Sequence, residues 1–170
     1  GTTFTVRLPV IAAHDSGRIV SDADEADASA DASLGGIVPS PSLEGLTILV
    51  VDDEPDARDL LTVVLEGRHA NVTTVESTAE AYATLEWLSP DVIVSDIGMP
   101  GEDGYTFMRK VRLEEAKRQH GWKPAIALTA HARAEDRLRA LSAGYQAHVA
   151  KPVEPPELVA VIASLARPLR

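Results

Sequence analysis

The stretch that decides the fold is VSDIGMPGEDG, from Val94 to Gly104. It continues a short apolar run of strand type, so the chain leads directly from a predicted buried strand into Asp96. After this acid come three glycines and a proline, residue types that allow the backbone to turn sharply. An apolar stripe with helical spacing begins at Gly104. The stretch therefore predicts a strand, a tight turn and a helix, with an aspartate where the strand ends.

From Leu46 onward, this alternation of strand and helix patterns occurs five times. Four of the five strand candidates are apolar runs without polar alternation, as expected for parallel strands that are covered on both faces. The second is more mixed and is expected at an edge of the sheet. The strand candidates are residues 46–51, 71–75, 92–95, 125–129 and 148–150. The pattern predicts an α/β fold of the doubly wound (βα)₅ type, with one parallel sheet and helices on both faces.

Local signals mark the helices. Pro55 suits the first position of a helix, a Ser77-x-x-Glu80 capping box opens another, and Gly144 is expected to close a third. Trp87 and Trp122 lie near predicted helix ends and are expected to cap the core. The apolar stripes expected to face the core are Ala57, Leu60, Leu61 and Val64; Ala81, Leu85 and Leu88; Gly104, Phe107, Met108 and Val111; Ala134, Leu138 and Leu141; and Leu158, Val161, Ile162 and Leu165.

Composition excludes several classes of function. The formal net charge of −10 argues against general binding to nucleic acid or to anionic lipid. The chain has no cysteine, so thiol catalysis, disulfides and cysteine zinc sites are excluded. It shows neither a membrane-length apolar run nor a signal-peptide pattern. We therefore expect a cytoplasmic location and no contact with a membrane.

The first 44 residues differ from the rest. Residues 1–10, GTTFTVRLPV, alternate like a half-buried strand and resemble the last strand of a domain cut off upstream. Residues 11–44 are acidic, contain no aromatic residue and cannot bury enough surface to order themselves. They are expected to form a flexible, solvated linker, with a short helix over the alanine-rich part or a binding motif as alternatives. Residues 45–170 then form one domain.

Chemistry-bearing side chains follow the predicted strands at their carboxyl ends, the edge where doubly wound sheets bind ligands. Asp52 and Asp53 follow the first strand, and Asp96 ends the third. Thr129 ends the fourth, and Lys151 follows the fifth.

Clustered carboxylates repel one another, by roughly 4 kcal/mol for a pair about 4 Å apart at an effective dielectric near 20. A hard divalent cation relieves this, and oxygen ligands favour Mg²⁺, with Mn²⁺ as an alternative. With Lys151 nearby, the site suits a phosphoryl group, and one aspartate remains to act as nucleophile.

Four motifs carry a family resemblance: VVDDEPDARDLL, VSDIGMPGEDG, ALTAHA and AKPVEP. Together and in this order they resemble the signatures of response-regulator receiver domains, over residues 46–168. The resemblance implies a flavodoxin-like fold with strand order 2-1-3-4-5. It also implies that the domain catalyses its own phosphorylation and dephosphorylation without being a turnover enzyme.

The resemblance assigns roles residue by residue. Asp96 would accept phosphate from a phosphohistidine on a kinase or phosphotransfer domain. Asp53, Asp96 and the Gly98 carbonyl would ligate Mg²⁺, with Asp52 acting mostly through water. Thr129 and Lys151 would bind phosphoryl oxygens, and Lys151-Pro152 would be a cis peptide. Phosphorylation would switch the surface of the fourth helix, fifth strand and fifth helix, through which a homodimer could form.

Histidines mark a departure from the family pattern. Many receivers carry Tyr or Phe as a switch residue three positions before the lysine, whereas this chain has His148. The histidine resembles that of receivers fused to sensor kinases, and it is expected to be a half-buried ring, with pH sensing as an alternative. His131 is expected at the surface, with a place at the mouth of the site as the alternative.

Residues 1–10 also resemble the G-T-x-F-x-V-x-L-P ending of a histidine kinase ATP-binding domain. The chain is thus interpreted as the receiver end of a hybrid histidine kinase.

Two other functions remain open. The domain could be an interaction or dimerisation module that works without phosphorylation. It could also be a Mg²⁺-dependent phosphohydrolase with an aspartyl intermediate. Such hydrolases usually carry a second acid two residues after the nucleophile, and this chain has Gly98 at that position.

Overall fold

The computed structural model describes residues 41–118, 121–130 and 133–166. Strands and helices alternate through this part of the chain, as the sequence predicts. The strands are β1 (Thr47–Val51), β2 (Asn71–Val75), β3 (Val92–Asp96), β4 (Ala125–Thr129) and β5 (Ala147–Ala150). The helices are α1 (Pro55–Glu66), α2 (Thr78–Leu85), α3 (Gly104–Arg118), α4 (Ala134–Ala143) and α5 (Pro155–Ala166). The sequence-based expectations for residues 1–40, which include the remnant strand and most of the linker, lie outside the described residues.

All five strands are parallel and lie in the order β2-β1-β3-β4-β5. The predicted strand order is therefore confirmed, and the mixed strand β2 is at an edge. Because β1 and β3 are neighbours, with Val51 beside Ser95, the residues that follow these two strands emerge side by side. The carboxyl ends of all five strands form one rim of the sheet.

Each face of the sheet has its own apolar core. Ile48, Val50 and Val94 belong to the face covered by α1 and α5, where Leu61, Leu65 and Ile162 are buried. Alternate residues of the same strands, such as Leu49 and Ile93, face α2, α3 and α4. This two-sided burial explains why the central strands are continuously apolar. It leaves the strand ends as the place where polar side chains can gather.

The helix-terminal signals act as predicted. Pro55 begins α1, and the Ser77 hydroxyl accepts a hydrogen bond from the Glu80 amide, 3.2 Å away, at the start of α2. Gly144 ends α4 with a φ of 107°, in the left-handed region that favours glycine. Among the described residues, none of these helices is long and apolar enough to cross a bilayer.

Several predicted core positions are wrong. Leu60 in α1 is 52% exposed, because the buried side of that helix runs through Leu61 and Leu65. In α4, Leu138 and Leu141 are exposed, because the small residues Ala140 and Ala143 face inward instead.

The two tryptophans do not cap the core. Trp87 is 71% exposed and Trp122 is 64% exposed. The Trp122 ring lies against the Arg112 guanidinium, 4.7 Å from it, in a cation–π contact at the surface. Trp87 lines a groove of about 410 Å³ between the end of α2 and α3, whose floor includes Leu85, Leu88 and Val111. These apolar side chains already close the core beneath it.

Candidate functional site

Three carboxylates meet at the carboxyl ends of β1 and β3. Asp52 and Asp53 follow β1, and Asp96 is the last residue of β3. One carboxylate oxygen of each lies within 4.8 Å of the others. Asp52 and Asp96 are buried, whereas Asp53 is half-buried. The predicted cluster of acids is therefore present in the structure.

Lys151 provides a positive charge in the middle of this cluster. Its ammonium lies 2.9 Å from Asp52 Oδ2 and 3.1 Å from Asp96 Oδ2, and Glu54 Oε2 is 4.0 Å away. Burial opposes the charge of the ammonium. The hydrogen bonds and negative charges of Asp52 and Asp96 outweigh burial, so the pKa of Lys151 is raised above the ordinary lysine value. The lysine is therefore firmly cationic at neutral pH.

The backbone around the lysine is fixed on both sides. The Lys151 amide donates to the Thr129 carbonyl, 2.7 Å away, which ties the end of β5 to the end of β4. The bond between Lys151 and Pro152 is a cis peptide, as the resemblance implies. Thr129 itself is buried at the same rim. The structure thus places Asp52, Asp53, Asp96, Thr129 and Lys151 at the carboxyl edge of the sheet.

Asp52 is held from several directions. Its Oδ1 accepts a hydrogen bond from the Glu54 amide at 3.0 Å, while Oδ2 faces the lysine. Its backbone carbonyl accepts a 2.6 Å hydrogen bond from the Arg58 guanidinium. Sequence reasoning missed Arg58, because only the first turn of α1 brings this side chain back over the end of β1. These contacts hold Asp52 in place at the rim where the three acids meet.

The turn after Asp96 requires glycine at two positions. Gly101 has a φ of 81°, in the left-handed region. At Gly104 a Cβ would lie 2.8 Å from the Cα of Ile97 and closer still to the Asp96 carbonyl, so α3 begins tightly against β3. The Gly98 amide donates to Asp96 Oδ1 at 3.1 Å. The turn thus keeps backbone polar groups beside the carboxylate.

A buried tyrosine supports the same turn from below. The Tyr145 hydroxyl donates to the Gly104 carbonyl at 2.8 Å, and the Ser95 hydroxyl donates to the Asp96 carbonyl at 2.9 Å. Burial raises the pKa of Tyr145, so its hydroxyl keeps its proton. Sequence reasoning missed this residue. The only signal was an aromatic residue directly after the glycine that closes α4.

The histidines stand apart from the acids. His148 is half-buried, as expected, and lines a cavity of about 270 Å³ with Arg137, Leu141 and Glu157. His69 is exposed, and His131 lies outside the described residues. Among the residues that the structure describes, no imidazole contacts the three carboxylates.

The donor set fits a hard divalent cation. Every candidate ligand is an oxygen atom, and the three acids lie close enough to share one ion. A single ammonium offsets only part of their negative charge, which leaves a net attraction for a cation. The chemistry of the donors therefore agrees with Mg²⁺ rather than with a metal that prefers nitrogen or sulfur.

Comparison with known proteins agrees with this geometry. The family model described as response regulator receiver domain matches residues 48–163. A 14.6 kDa protein encoded in the sodA1 3′ region of Leptolyngbya boryana is 46% identical over 121 residues, which are 71% of this chain and 90% of that protein. Hybrid signal transduction histidine kinase D of Dictyostelium discoideum is 38% identical over 65% of this chain, which corresponds to 8% of the kinase. Several other curated relatives are likewise about half covered or less.

A solved structure shows the same fold at moderate sequence identity. The receiver domain of sensor histidine kinase PA1611 from Pseudomonas aeruginosa, described with a magnesium ion coordinated in its active site cleft, is 33% identical with a TM-score of 0.63. The match covers 72% of this chain and 98% of that domain. Fold, motifs and sequence identity thus agree, and the chain belongs to the response regulator receiver domain family.

Proposed function

We propose that this domain accepts a phosphoryl group on Asp96 from a phosphohistidine. The observation that carries the proposal is the position of the Lys151 ammonium between Asp52 and Asp96, at the rim where the three acids meet. A carboxylate that is fixed at the end of a strand and lies beside a cation is suited to nucleophilic attack on phosphorus.

The transfer is a single displacement at phosphorus. An oxygen of the Asp96 carboxylate attacks the phosphorus, and the new O–P bond forms as the P–N bond to the imidazole breaks. The imidazole nitrogen leaves with the electron pair of that bond, and the ring is neutral once it carries one proton. Lys151 stabilises the charge on the phosphoryl oxygens, and Thr129 hydrogen-bonds one of them. Later attack by water on the phosphorus breaks the O–P bond to Asp96, which regenerates the carboxylate and releases inorganic phosphate.

The acids also suit the metal that the family uses. When bound, Mg²⁺ would be held by Asp53, Asp96 and the Gly98 carbonyl, with Asp52 through water, and it would neutralise negative charge on the transferring group. The chain's own contribution is to hold these oxygens in place. Asp52 is fixed by the Glu54 amide and Arg58, and Asp96 by the Gly98 amide.

We further propose that the domain works within a hybrid histidine kinase. The support is the resemblance of residues 1–10 to the end of a kinase ATP-binding domain, followed by the acidic segment 11–44. The likeness to a hybrid histidine kinase and to the receiver of a sensor kinase agrees with this context. A flexible tether would raise the local concentration of the donor histidine and favour transfer within one assembly.

The α4–β5–α5 surface is the proposed output face. Leu138 is 65% exposed on α4, and Leu141 lines the cavity beside His148. Exposed leucines at this place also favour the second candidate function, an interaction or dimerisation module that works without phosphate. The two functions differ in whether association depends on occupancy of Asp96.

Phosphate labelling with acetyl phosphate tests the acceptor. We expect the wild-type domain to be labelled in the presence of Mg²⁺ and Asp96→Asn to give only background labelling. Asp91→Asn is the matched control, because Asp91 lies at the opposite end of β3, where its carboxylate accepts a hydrogen bond from the Thr47 amide. Undiminished labelling of Asp96→Asn would exclude Asp96 as the acceptor, and a labelling loss in Asp91→Asn would show that the assay reports folding instead.

A further inference from the structure

The segment between β3 and α3 carries the Gly98 carbonyl but has little backbone support of its own. At its base, the Ile97 amide donates to the Leu128 carbonyl at 3.0 Å and the Gly104 amide donates to the Ile97 carbonyl at 3.1 Å. Within the described part of the chain, residues 98–102 make no backbone–backbone hydrogen bond that would stiffen the tip. Side chains must therefore hold this turn.

Glu102 is the side chain that ties the turn to the helices. Its carboxylate accepts hydrogen bonds from the Thr78 hydroxyl at 3.3 Å and from the Tyr82 hydroxyl at 3.1 Å, both on α2. The Lys110 ammonium on α3 lies 2.8 Å away. We call these four residues the Glu102 clamp. It joins the turn to two helices at once.

The contacts of the clamp favour the charged carboxylate. Partial burial raises the pKa of Glu102, but the hydrogen bonds from Lys110, Tyr82 and Thr78 outweigh it and leave the pKa below the ordinary value. Charge-assisted hydrogen bonds are about twice as strong as neutral ones. The clamp is therefore formed throughout the neutral pH range.

The Glu102 carboxylate is separate from the packing that holds α2 against α3. The Tyr82 and Phe107 rings lie 5.3 Å apart, and Ala81 and Met108 are buried in the same core. These contacts do not involve the Glu102 side chain, of which 22% is exposed. Loss of the carboxylate should therefore release the turn while the helices stay in place.

We propose that Glu102 is a positioning residue that holds the Gly98 segment in the arrangement that cation binding at the three acids requires. Only Met99 to Gly101 separate the clamp from Gly98, and the Met99 side chain is buried. Fixing the turn at Glu102 thus limits where the Gly98 carbonyl can lie. The inference rests on the proposed function, because the Gly98 carbonyl is a proposed ligand of the cation.

Magnesium titration by calorimetry tests the clamp without any phosphate transfer. We expect Glu102→Ala to raise the Kd for Mg²⁺ about tenfold, the lower end of the effect of residues that orient metal ligands. Glu102→Gln keeps an acceptor for Tyr82 but loses the ion pair, so it should lie between wild type and Glu102→Ala. Glu86→Ala is the matched control, because it removes the same charge at the other end of α2.

A metal-free readout separates positioning from folding. In amide NMR spectra without Mg²⁺, the Gly98 resonance should broaden or shift in Glu102→Ala and stay unchanged in Glu86→Ala. Tyr82→Phe, which keeps the ring packing and removes one donor, should shift the same resonance less. If Glu102→Ala does not fold, Tyr82→Phe decides the question by the same two measurements.

The outcomes distinguish this inference from the function on which it rests. If the wild-type domain does not bind Mg²⁺, the proposed function fails. If the wild type binds Mg²⁺ and the folded clamp variants bind it with the same Kd and an unchanged Gly98 resonance, the clamp inference is overturned. Weaker binding with a perturbed Gly98 resonance, and none in the control, supports it.

Discussion

At the scale of single residues, Lys151 brings a positive charge to the buried acids of the site. Two carboxylates about 4 Å apart repel by roughly 4 kcal/mol at an effective dielectric near 20, and the lysine lies close to both buried acids. Removing one partner of a buried ion pair leaves the other charge without compensation. The lysine is therefore expected to stabilise the fold as well as the transferred phosphoryl group.

The variant Lys151→Met keeps the length of the side chain and removes its charge. We expect it to lower the free energy of unfolding by about 3 kcal/mol without a divalent cation, the lower end of the range for breaking a buried pair. Saturating Mg²⁺ should reduce this loss, because the cation compensates the same carboxylates. Urea denaturation measures both values, with Lys123→Met as a control, because the Lys123 ammonium donates to the Ser89 hydroxyl and not to a carboxylate among the described residues. A variant as stable as wild type without metal would contradict the argument.

The pH dependence of the Lys151 contribution has a definite sign. Its pKa is raised in the folded state, so the stabilisation is fully present below the ordinary lysine pKa of 10.5 and is lost as pH rises through the folded value. The difference in unfolding free energy between wild type and Lys151→Met should thus be constant across neutral pH and shrink in strong base. A difference that shrinks between neutral pH and the ordinary lysine value would be inconsistent with a raised pKa.

Topology explains which site residues the sequence could predict. Asp52, Asp96, Thr129 and Lys151 all lie at the carboxyl ends of strands of one parallel sheet. That they meet therefore follows from the order of the elements. Arg58 and the Glu102 clamp were not predicted. Their contacts depend on how helices lie against loops, and no spacing within a single element records that.

At the scale of elements, strand and helix bounds were more predictable than helix orientation. Every described strand lies within one residue of its predicted bounds, because apolar runs between turn residues allow little choice. Helix α4 shows the limit. Its sequence offers both leucines and alanines at helical spacing, and the alanines face inward because α4 lies close to α3 and the sheet. Periodicity identifies a stripe but cannot say which stripe the neighbours will cover.

Tyr145 links three elements through one hydroxyl. It lies between α4 and β5 and donates to the carbonyl of Gly104, the first residue of α3. We expect Tyr145→Phe to lower the free energy of unfolding by about 1–3 kcal/mol, because the buried Gly104 carbonyl loses its partner while the ring still fills the core. Denaturant unfolding measures the change.

Tyr105→Phe is the control for that experiment. Tyr105 is also buried, but its hydroxyl makes no hydrogen bond with a described residue, and its ring lies against the Arg139 guanidinium, 4.7 Å away. Its unfolding free energy should change by less than about 0.5 kcal/mol, as is usual away from buried polar contacts. Equal effects of the two substitutions would show that the Tyr145 hydrogen bond contributes nothing specific.

At the scale of the whole molecule, each face of the sheet carries a helix that exposes two large apolar side chains. On one side α1 exposes Leu60 and Val63, and on the other side α4 exposes Leu138 and Leu141. Exposed leucines are tolerated singly, but two on one helix beside a cavity favour a contact surface. Their place next to His148 puts this surface at the proposed output face.

Association of the domain through this face gives the last prediction. We expect Leu138→Lys to fold normally, because the side chain is 65% exposed, and to weaken any self-association that beryllofluoride with Mg²⁺ induces in the wild type. Leu113→Lys is the matched control, since Leu113 is 61% exposed on α3. Sedimentation velocity with and without beryllofluoride separates the two candidate functions. Association that requires beryllofluoride and disappears only in Leu138→Lys supports the phosphorylation switch, and association that is equal with and without it supports the phosphate-independent module. Loss of association in both lysine variants would instead indicate a general effect of added charge, and the α4 surface would then have no special role.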